Sequence, residues 1–515
     1  MKKKKPVISK KFEEIDSLSL LAHKVASNVF DLSSGQVNVS IRDQMVRAQH
    51  LVSDLRRADP AAKSLLIVGM GVAGMNAALA ACEAGFSTVC VVETAPRPFN
   101  MFREVTSRFV GPYMYEWPSP FHARQSYPSH YSTPWAAHGV SPLAWEASEP
   151  ISAADLAIRL DQGLRAWWAV AKSKPYLVVG IGKKTVRDFV VKFASTEKLR
   201  AAQREAGGKK MDAKQQFTLA TFGARAKLWH EVKQAAPPPF FEPDYVILAA
   251  GMGKEVLDIP NGPVPATPRF WSNDGLKAPT VPMQRVVVLG GGDGAIQDAL
   301  RALTIHHHPA SFIDQLEAMP AVRQALDNEK AALLSADRQL RQHSSWSLKP
   351  SGFAMADLAC RQAARNLASN AAVKEQVLKA LRKGTGEVIL YVREATLGKA
   401  YMLNRFAIYL LAACVSRDCG RNDGGMGFVL QFDTEVKQGL PPGGARKKFA
   451  LEVGAPNALV PSVEIVDEVD HTVVRFGIDA DTIPGPQLLQ LSADDRMYRE
   501  RTTLKRVELP FVAMR

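Results

Sequence analysis

Leu65-Leu66-Ile67-Val68-Gly69-Met70-Gly71-Val72-Ala73-Gly74 is the stretch that decides the fold of this chain. Four consecutive apolar residues read as a short strand buried on both faces, as in a parallel sheet. The next six fit G-x-G-x-x-G. Gly69 permits the tight turn out of the strand, Gly71 lets the backbone approach a pyrophosphate without a Cβ clash, and Gly74 lets the helix lie close to the strand. Val72 and Ala73 open that helix, whose free N–H groups and positive end face the phosphates. A helix of small residues then runs through Ala84, with Gly85 as its C-terminal stop. Ser87–Val92 is the next strand. It ends at Glu93, nineteen residues after Gly74, where a carboxylate can accept hydrogen bonds from the ribose hydroxyls of an adenosine. Thr94 adjoins it. The whole is a β-α-β unit and predicts a dinucleotide cradle.

A second opening of the same kind lies downstream. Arg285–Leu289 reads as a strand, and Gly290-Gly291-Gly292-Asp293-Gly294-Ala295 fits G-x-G-x-x-[GA]. In such a unit the following strand arrives some 20–25 residues after the loop. Here Val388–Val392 is the next apolar strand, and the intervening residues 310–383 read as almost wholly helical, so a helical insertion is expected inside the second unit. Arg393 ends that strand. An arginine there can pair with a ribose 2′-phosphate, whereas Glu394 beside it favours a free 2′-hydroxyl.

Between the two motifs, Asp244–Leu248 reads as a strand running into Ala249-Ala250-Gly251, followed by Leu257-Asp258-Ile259-Pro260-Asn261-Gly262. The order of nucleotide motif, long insert, strand into Ala-Ala-Gly, proline-glycine stretch and second nucleotide motif resembles the flavoprotein superfamily with two dinucleotide-binding domains. That superfamily includes thioredoxin reductases and flavin-containing monooxygenases. The resemblance covers residues 60–95 and 244–300, about a fifth of the chain. It implies FAD at the first motif, with Ala250 and Gly251 beside it, and NAD(P)H at the second. Ala250 stands where that superfamily usually has threonine. The absence of C-x-x-C separates the chain from the dithiol reductases.

With 515 residues the chain is expected to form two to four domains. Four segments are read: an N-terminal helical segment over 1–60, an FAD-binding domain over 61–280 with an inserted cleft region at 97–240, a second Rossmann-like unit over 281–430, and a return to the first domain over 431–515. The fold class is α/β, with two Rossmann-like units, the second interrupted by helices, plus N-terminal helices. Ile15, Leu18, Leu20, Leu21 and Val25 carry one helical stripe, and a second helix follows Ser40 and stops at Asp59-Pro60. Residues 151–170 read as a helix, Leu177–Gly180 and Asp188–Phe193 as short strands, and Phe406–Val415 as a buried helix too short to span a bilayer.

The formal net charge of +14 can attract nucleic acid, an anionic surface or dinucleotide phosphates. No helix-turn-helix, zinc-finger or basic-zipper pattern accompanies it, and the lysines of Met1–Lys5 read as a solvated tail. Five cysteines at irregular spacing fit a reducing compartment, and the lysine-led start lacks the apolar run of a secretory signal, so a cytoplasmic location is expected. His306-His307-His308 reads as an exposed helix end, with no metal site, because adjacent imidazoles point apart.

Residues 97–145 are rich in aromatics, proline and histidine, and Arg103, Arg108, Tyr113, Tyr115, Glu116, Trp117, His122, Arg124, His130 and Trp135 are candidates either for a substrate cleft or for a buried structural lid. No catalytic acid or base is identifiable. The functional expectation is an FAD-dependent oxidoreductase, reduced by NADPH and acting on a small molecule. An amine or amino-acid oxidase with an unused second motif, and a redox-silent sensor with partner surfaces on its helical segments, are the alternatives.

Overall fold

The computed structural model of the chain describes residues 20, 23–32, 40–111, 117–118, 143, 147, 149–205, 225–235, 241–260, 267–277, 285–346, 351–384, 386–397, 400–415, 426–444, 448–456, 463–479 and 482. It is mixed α/β, with two main sheets, each carrying a glycine turn between a strand and a helix.

The first sheet is built from β1 (Lys24–Ala26), β2 (Val29–Asp31), β3 (Ser64–Val68), β4 (Thr88–Val92), β7 (Tyr176–Val179), β8 (Lys227–Leu228) and β9 (Tyr245–Leu248), in the order β1-β2-β9-β3-β4-β7-β8. Every residue of β3 is buried, as a central parallel strand requires. β5 (Phe109–Val110) and β6 (Ile151–Ser152) form a small ribbon outside this sheet, and β10 (Lys254–Glu255) follows β9. Four described helices belong to this half: α1 (Ile41–Ala58), α2 (Val72–Glu83), α3 (Ala153–Val170) and α4 (Lys183–Glu205). The alanines of α2 let it pack tightly on both β3 and α1. Arg56 of α1 donates to Ala84 O (2.8 Å) at the C-terminal end of α2 and to Ala62 O (2.8 Å), placing a cation where the helix dipole is negative.

Two local expectations are corrected. Asp188–Phe193 is not a strand but part of α4, because Val186, Phe189, Val190 and Phe193 recur at helical spacing and are buried against the sheet. Val25 lies in β1 rather than on a helix: Lys24–Ala26 and Val29–Asp31 turn back as a hairpin, and β2 adds in parallel to β9. Ile15, Leu18 and Leu21 lie outside the described residues.

The second sheet has the order β13-β12-β11-β17, all parallel, from β11 (Arg285–Leu289), β12 (Glu387–Tyr391), β13 (Gly427–Gln431) and β17 (His471–Val474). Helix α5 (Asp293–Leu303) leaves the glycine turn after β11. The helical insertion follows as α6 (Pro309–Glu317), α7 (Pro320–Trp346), α8 (Ser351–Ala368) and α9 (Ala371–Lys379), and α10 (Met402–Cys414) then packs inside it. α10 covers most of the apolar stretch expected to be a buried helix. No described helix is long and apolar enough to cross a membrane. On the other face of the sheet lies an antiparallel meander of β14 (Glu435–Leu440), β15 (Phe449–Gly454) and β16 (Val463–Val469). Strands β14 to β17, in the stretch expected to rejoin the first unit, therefore stay with the second. β18 (Ile478–Asp479) then crosses back to pair with β10.

His308 is not exposed. It is buried, it starts rather than ends a helix, and its Nδ1 accepts from Ala310 N (3.1 Å) as the N-cap of α6. Burial holds its imidazole down at about 3, in the neutral form that capping needs.

The halves are joined by a buried cluster of charge. Arg108, just before β5, pairs with Asp298 of α5 and with Asp274 (2.8 Å). Arg301 of α5 binds both Asp274 and Asp298 (each 2.8 Å), and Arg475, just after β17, donates to Asp298 Oδ2 (2.9 Å). All five side chains are at most 5% exposed. The Asn273 side chain adds bonds to Thr106 N (2.8 Å) and Glu104 O (2.7 Å). Removing one carboxylate leaves guanidinium charge buried without compensation. Asp298→Ala is therefore expected to destabilise the chain by about 3–5 kcal/mol in urea unfolding, far beyond the effect of an exposed ion pair.

Candidate functional site

Both glycine turns lie at the carboxyl ends of their central strands, where open α/β sheets bind ligands. In the first, Gly69 has φ +109° and its N–H donates to Val92 O (2.8 Å). A Cβ on Gly69 would lie 2.2 Å from Ala249 O, and one on Gly74 would lie 1.9 Å from Gly69 O. Glycine is required at both positions because backbone packs directly on backbone. Gly71 differs: it is the N-cap of α2 in extended backbone, with nothing within 4 Å of the place its Cβ would take. Next to it, Val72 and Ala73 begin the helix, so the turn presents free N–H groups to an open space. Gly251, with φ +97°, opens on space in the same way, next to the exposed Ala250.

Glu93 stands at the rim of this cradle. Its Oε2 accepts from Met70 N (2.8 Å), and its Oε1 accepts from Ala95 N (2.9 Å) and Thr94 Oγ1 (3.1 Å). The carboxylate is thus fixed against the glycine turn by its own backbone, with one acceptor site on Oε2 left over for a hydroxyl. Gly69, Gly71, Val72, Ala73, Gly74, Glu93, Thr94, Ala250 and Gly251 all come together at the ends of β3, β4 and β9.

The second turn repeats the backbone contacts of the first. Gly290 N donates to Tyr391 O (2.9 Å), as Gly69 N does to Val92 O. Arg475 N donates to Leu289 O (2.8 Å), as Ala249 N does to Val68 O (2.7 Å). A Cβ on Gly290 would lie 2.2 Å from Arg475 O, the distance found between Gly69 and Ala249 O. Gly292 caps α5 and faces open space, and Gly477, with φ +98°, takes the part of Gly251. Ala295 packs under Gly290 where the first unit has Gly74, while Gly294 lies against the Phe270 ring.

This register sets which residue stands in the place of Glu93. Glu93 follows Val92, so its counterpart follows Tyr391 and is Val392, a buried apolar residue. Arg393, the expected reader, lies one residue further and corresponds to Thr94. Its Nε meets Glu435 Oε2 at 3.0 Å, and its side chain is 63% exposed. The Glu394 carboxylate comes within 3.7 Å of a Cβ placed on Gly291. Sequence reasoning missed Val392 and also missed Arg475-Phe476-Gly477 as the counterpart of Ala249-Ala250-Gly251. The signal was there: each tripeptide follows a short apolar strand and ends in glycine.

Asp293, the first residue of α5, turns away from the open space. Its Oδ1 accepts from Tyr401 N (2.8 Å) and Asn404 Nδ2 (2.6 Å), joining the N-termini of α5 and α10. Burial pushes this carboxyl up to about 6, against the opposing pull of those two donors and of Arg405.

The aromatic-rich segment has a structural role where it is described. Arg103 forks onto Asp161 (2.6 and 2.8 Å), Arg108 belongs to the charge cluster, and Trp117 is buried and stacked on Phe406 at 4.8 Å. Tyr113, Tyr115, Glu116, His122, Arg124, His130 and Trp135 lie outside the described residues.

No family model matches the sequence, and no curated protein matches it. Among solved structures, the chain is similar to a thioredoxin reductase of Lactococcus lactis at 10% identity and a TM-score of 0.32, covering 81% of this chain and 78% of that one. A thioredoxin reductase of T. acidophilum gives 10% identity and a TM-score of 0.30, covering 81% and 77%. A covalent putidaredoxin reductase–putidaredoxin complex gives 12% identity and a TM-score of 0.28, covering 84% and 62%.

Two outcomes follow for these residues. Gly74→Ala forces helix α2 off the turn and is expected to cost about 1–3 kcal/mol or more in unfolding, while Gly71→Val leaves stability nearly unchanged because its side chain meets only open space. Asp293 supplies a pH signature. Its folded value, about 6, exceeds its ordinary 3.8. Between these values the folded state holds the extra proton, so its contribution to stability falls as pH rises through that window. Asp293→Asn cannot ionise. Its stability relative to the natural chain should be highest above pH 6 and should decline to a constant below about pH 4, in urea unfolding across that range.

Proposed function

We propose that the chain is an FAD-dependent oxidoreductase with a second site for NADPH, acting on a small-molecule substrate. The observation that carries this reading is the pair of glycine cradles closed by the same backbone contacts, with Glu93 at the strand end of the first and Val392 at the equivalent position of the second. A carboxylate at the ribose position accepts from a free 2′,3′-diol and repels a 2′-phosphate, which fits the adenosine of FAD at Gly69–Gly74. The open space at Gly71 is the place a pyrophosphate would take, and Ala250 and Gly251 would flank the flavin side.

At Gly290–Ala295 the carboxylate is gone, and Arg393 follows the apolar Val392. That combination favours a 2′-phosphate. Among the described residues Arg393 is held by Glu435, in an exposed pair of the kind that contributes about 0–1 kcal/mol, so a phosphate can displace it. Gly290, Gly292, Gly294 and Ala295 would form the pyrophosphate turn, and Asp293 would order it from behind through α10. FAD, once bound, carries the redox chemistry, and the protein supplies binding and orientation. The pairing of Arg393 with Glu435 also gives the oxidase with an unused second cradle its one supporting observation.

An absorbance spectrum of the purified protein, repeated after anaerobic addition of NADPH and then NADH, tests the reading. Oxidised flavin bands that bleach with NADPH are expected. Bands that ignore both nucleotides would leave the direct oxidase, and no flavin after reconstitution with FAD would remove the proposal. Gly71→Val should lose at least about tenfold in FAD affinity while remaining folded, because its side chain fills the pyrophosphate space. Arg393→Ala should lower the preference for NADPH over NADH by about tenfold, the worth of one charge-assisted hydrogen bond.

A further inference from the structure

Matching the two cradles also fixes the direction in which a dinucleotide lies across the second one. In the first sheet Glu93 marks the adenosine ribose at the end of β4, the glycine turn sits over β3, and Ala249-Ala250-Gly251 ends β9 on the far side. In the second sheet the corresponding strands are β12, β11 and β17. A dinucleotide with its adenosine at Val392-Arg393 and its pyrophosphate over Gly292 therefore extends its other end across β17. That strand ends in Arg475-Phe476-Gly477.

Successive side chains at a strand end point to opposite sides. Arg475 turns inward, where its guanidinium joins Asp298 and the Pro268 carbonyl (2.8 Å). Phe476 turns outward and is 43% exposed. Its counterpart, Ala250, has only a methyl group. Gly477 beside it opens on empty space, and its carbonyl is tied to Val256 N (2.9 Å), which holds the tripeptide in place. A large aromatic face left in water at the mouth of a cradle, on a backbone fixed by hydrogen bonds at both ends, is a ready surface for a planar heteroaromatic ring.

Resting on the NADPH reading of the second cradle, we propose that Phe476 is the residue on which the nicotinamide end of the ligand stacks. It is a positioning residue: it sets the ring's plane at the β17 side, the side from which β18 crosses back to β10 of the first unit. The electron-poor nicotinamide of the oxidised nucleotide suits the electron-rich face of a phenyl ring.

The test uses the FAD-loaded full chain and two probes in titration calorimetry: NADP+, and 2′-phospho-ADP-ribose, which has the adenosine end without nicotinamide. Phe476→Ala should weaken NADP+ about three- to tenfold, the range of one aromatic stacking contact. It should leave 2′-phospho-ADP-ribose within about twofold of the natural chain, and Phe476→Tyr should restore NADP+ binding. An unchanged NADP+ affinity in Phe476→Ala, or an equal loss for both probes, overturns the assignment of Phe476 while the second cradle stands. A natural chain that binds neither probe overturns the second cradle and Phe476 with it.

Discussion

Everything in this chain is arranged around a close approach of backbone to backbone at each glycine turn. The carbonyl of Ala249 reaches the place where Gly69 would carry a Cβ, and the carbonyl of Arg475 does the same at Gly290. Each contact requires that a distant strand, β9 or β17, lie beside the strand that leads into the turn. The turn is therefore shaped by a segment roughly 180 residues away in sequence, as the 249–69 and 475–290 separations show. Local turn preference alone does not create the cradle; closure of the sheet on its far side does.

The same constraint explains what the insertions do. The long segments that separate β4 from β9 and β11 from β17 are tolerated because they leave the strand neighbours unchanged: β9-β3-β4-β7 in one sheet and β17-β11-β12-β13 in the other. The helical insertion of the second unit does more than fill space. Asp357 of α8 accepts from Leu397 N (3.1 Å) and from the Tyr409 hydroxyl (2.5 Å), tying α8 both to the loop after β12 and to α10. Arg405 of α10 donates to Leu397 O (2.9 Å) and Ala400 O (3.2 Å) from below. The loop after β12, beside the second cradle, is thus anchored on its inner side, and Asp293 joins the glycine turn to the same helix.

The sequence made the two cradles legible because their requirements are local in kind. A buried apolar strand, glycines at fixed spacing and a small-residue helix each leave a periodic mark. What it concealed depends on pairing. Which residue is equivalent to Glu93 is set by which carbonyl receives the N–H of Gly290, and a one-residue shift puts Val392 there in place of Arg393. Asp188–Phe193 was misread for a different reason: a run of Phe and Val has high strand propensity, yet burial at Val186, Phe189, Val190 and Phe193 follows the helical period, and tertiary packing prevails. His308 looked like an exposed helix end because a run of polar residues before a proline usually is one; its role as a buried cap needs the neutral imidazole that burial secures. The aromatic-rich segment left a substrate cleft and a buried lid open as readings, and Arg103 and Arg108 spend their guanidinium groups on Asp161 and Asp298.

The charge cluster between the halves has a bearing on how the two cradles work together. Arg108 comes from the first half, Asp298 and Arg301 from α5 and Arg475 from the end of β17, so the two halves meet through the helix and the strand end that shape the second cradle. Buried ion clusters of this kind add little net stability over an apolar filling, but they tolerate only one geometry, because a misplaced guanidinium is left desolvated and unpaired. Phe270 reinforces that geometry: its ring lies 4.6 Å from the Arg108 guanidinium and touches the Gly294 position. Turning one half against the other about the β10–β18 ribbon would have to expose or separate these groups. The arrangement therefore opposes rotation, and it places on Arg475 both a backbone role, closing the Gly290 turn, and a side-chain role, holding the halves in register. A substitution there should perturb the second cradle and the interface together, whereas one at Arg301 should reach the cradle only through the interface.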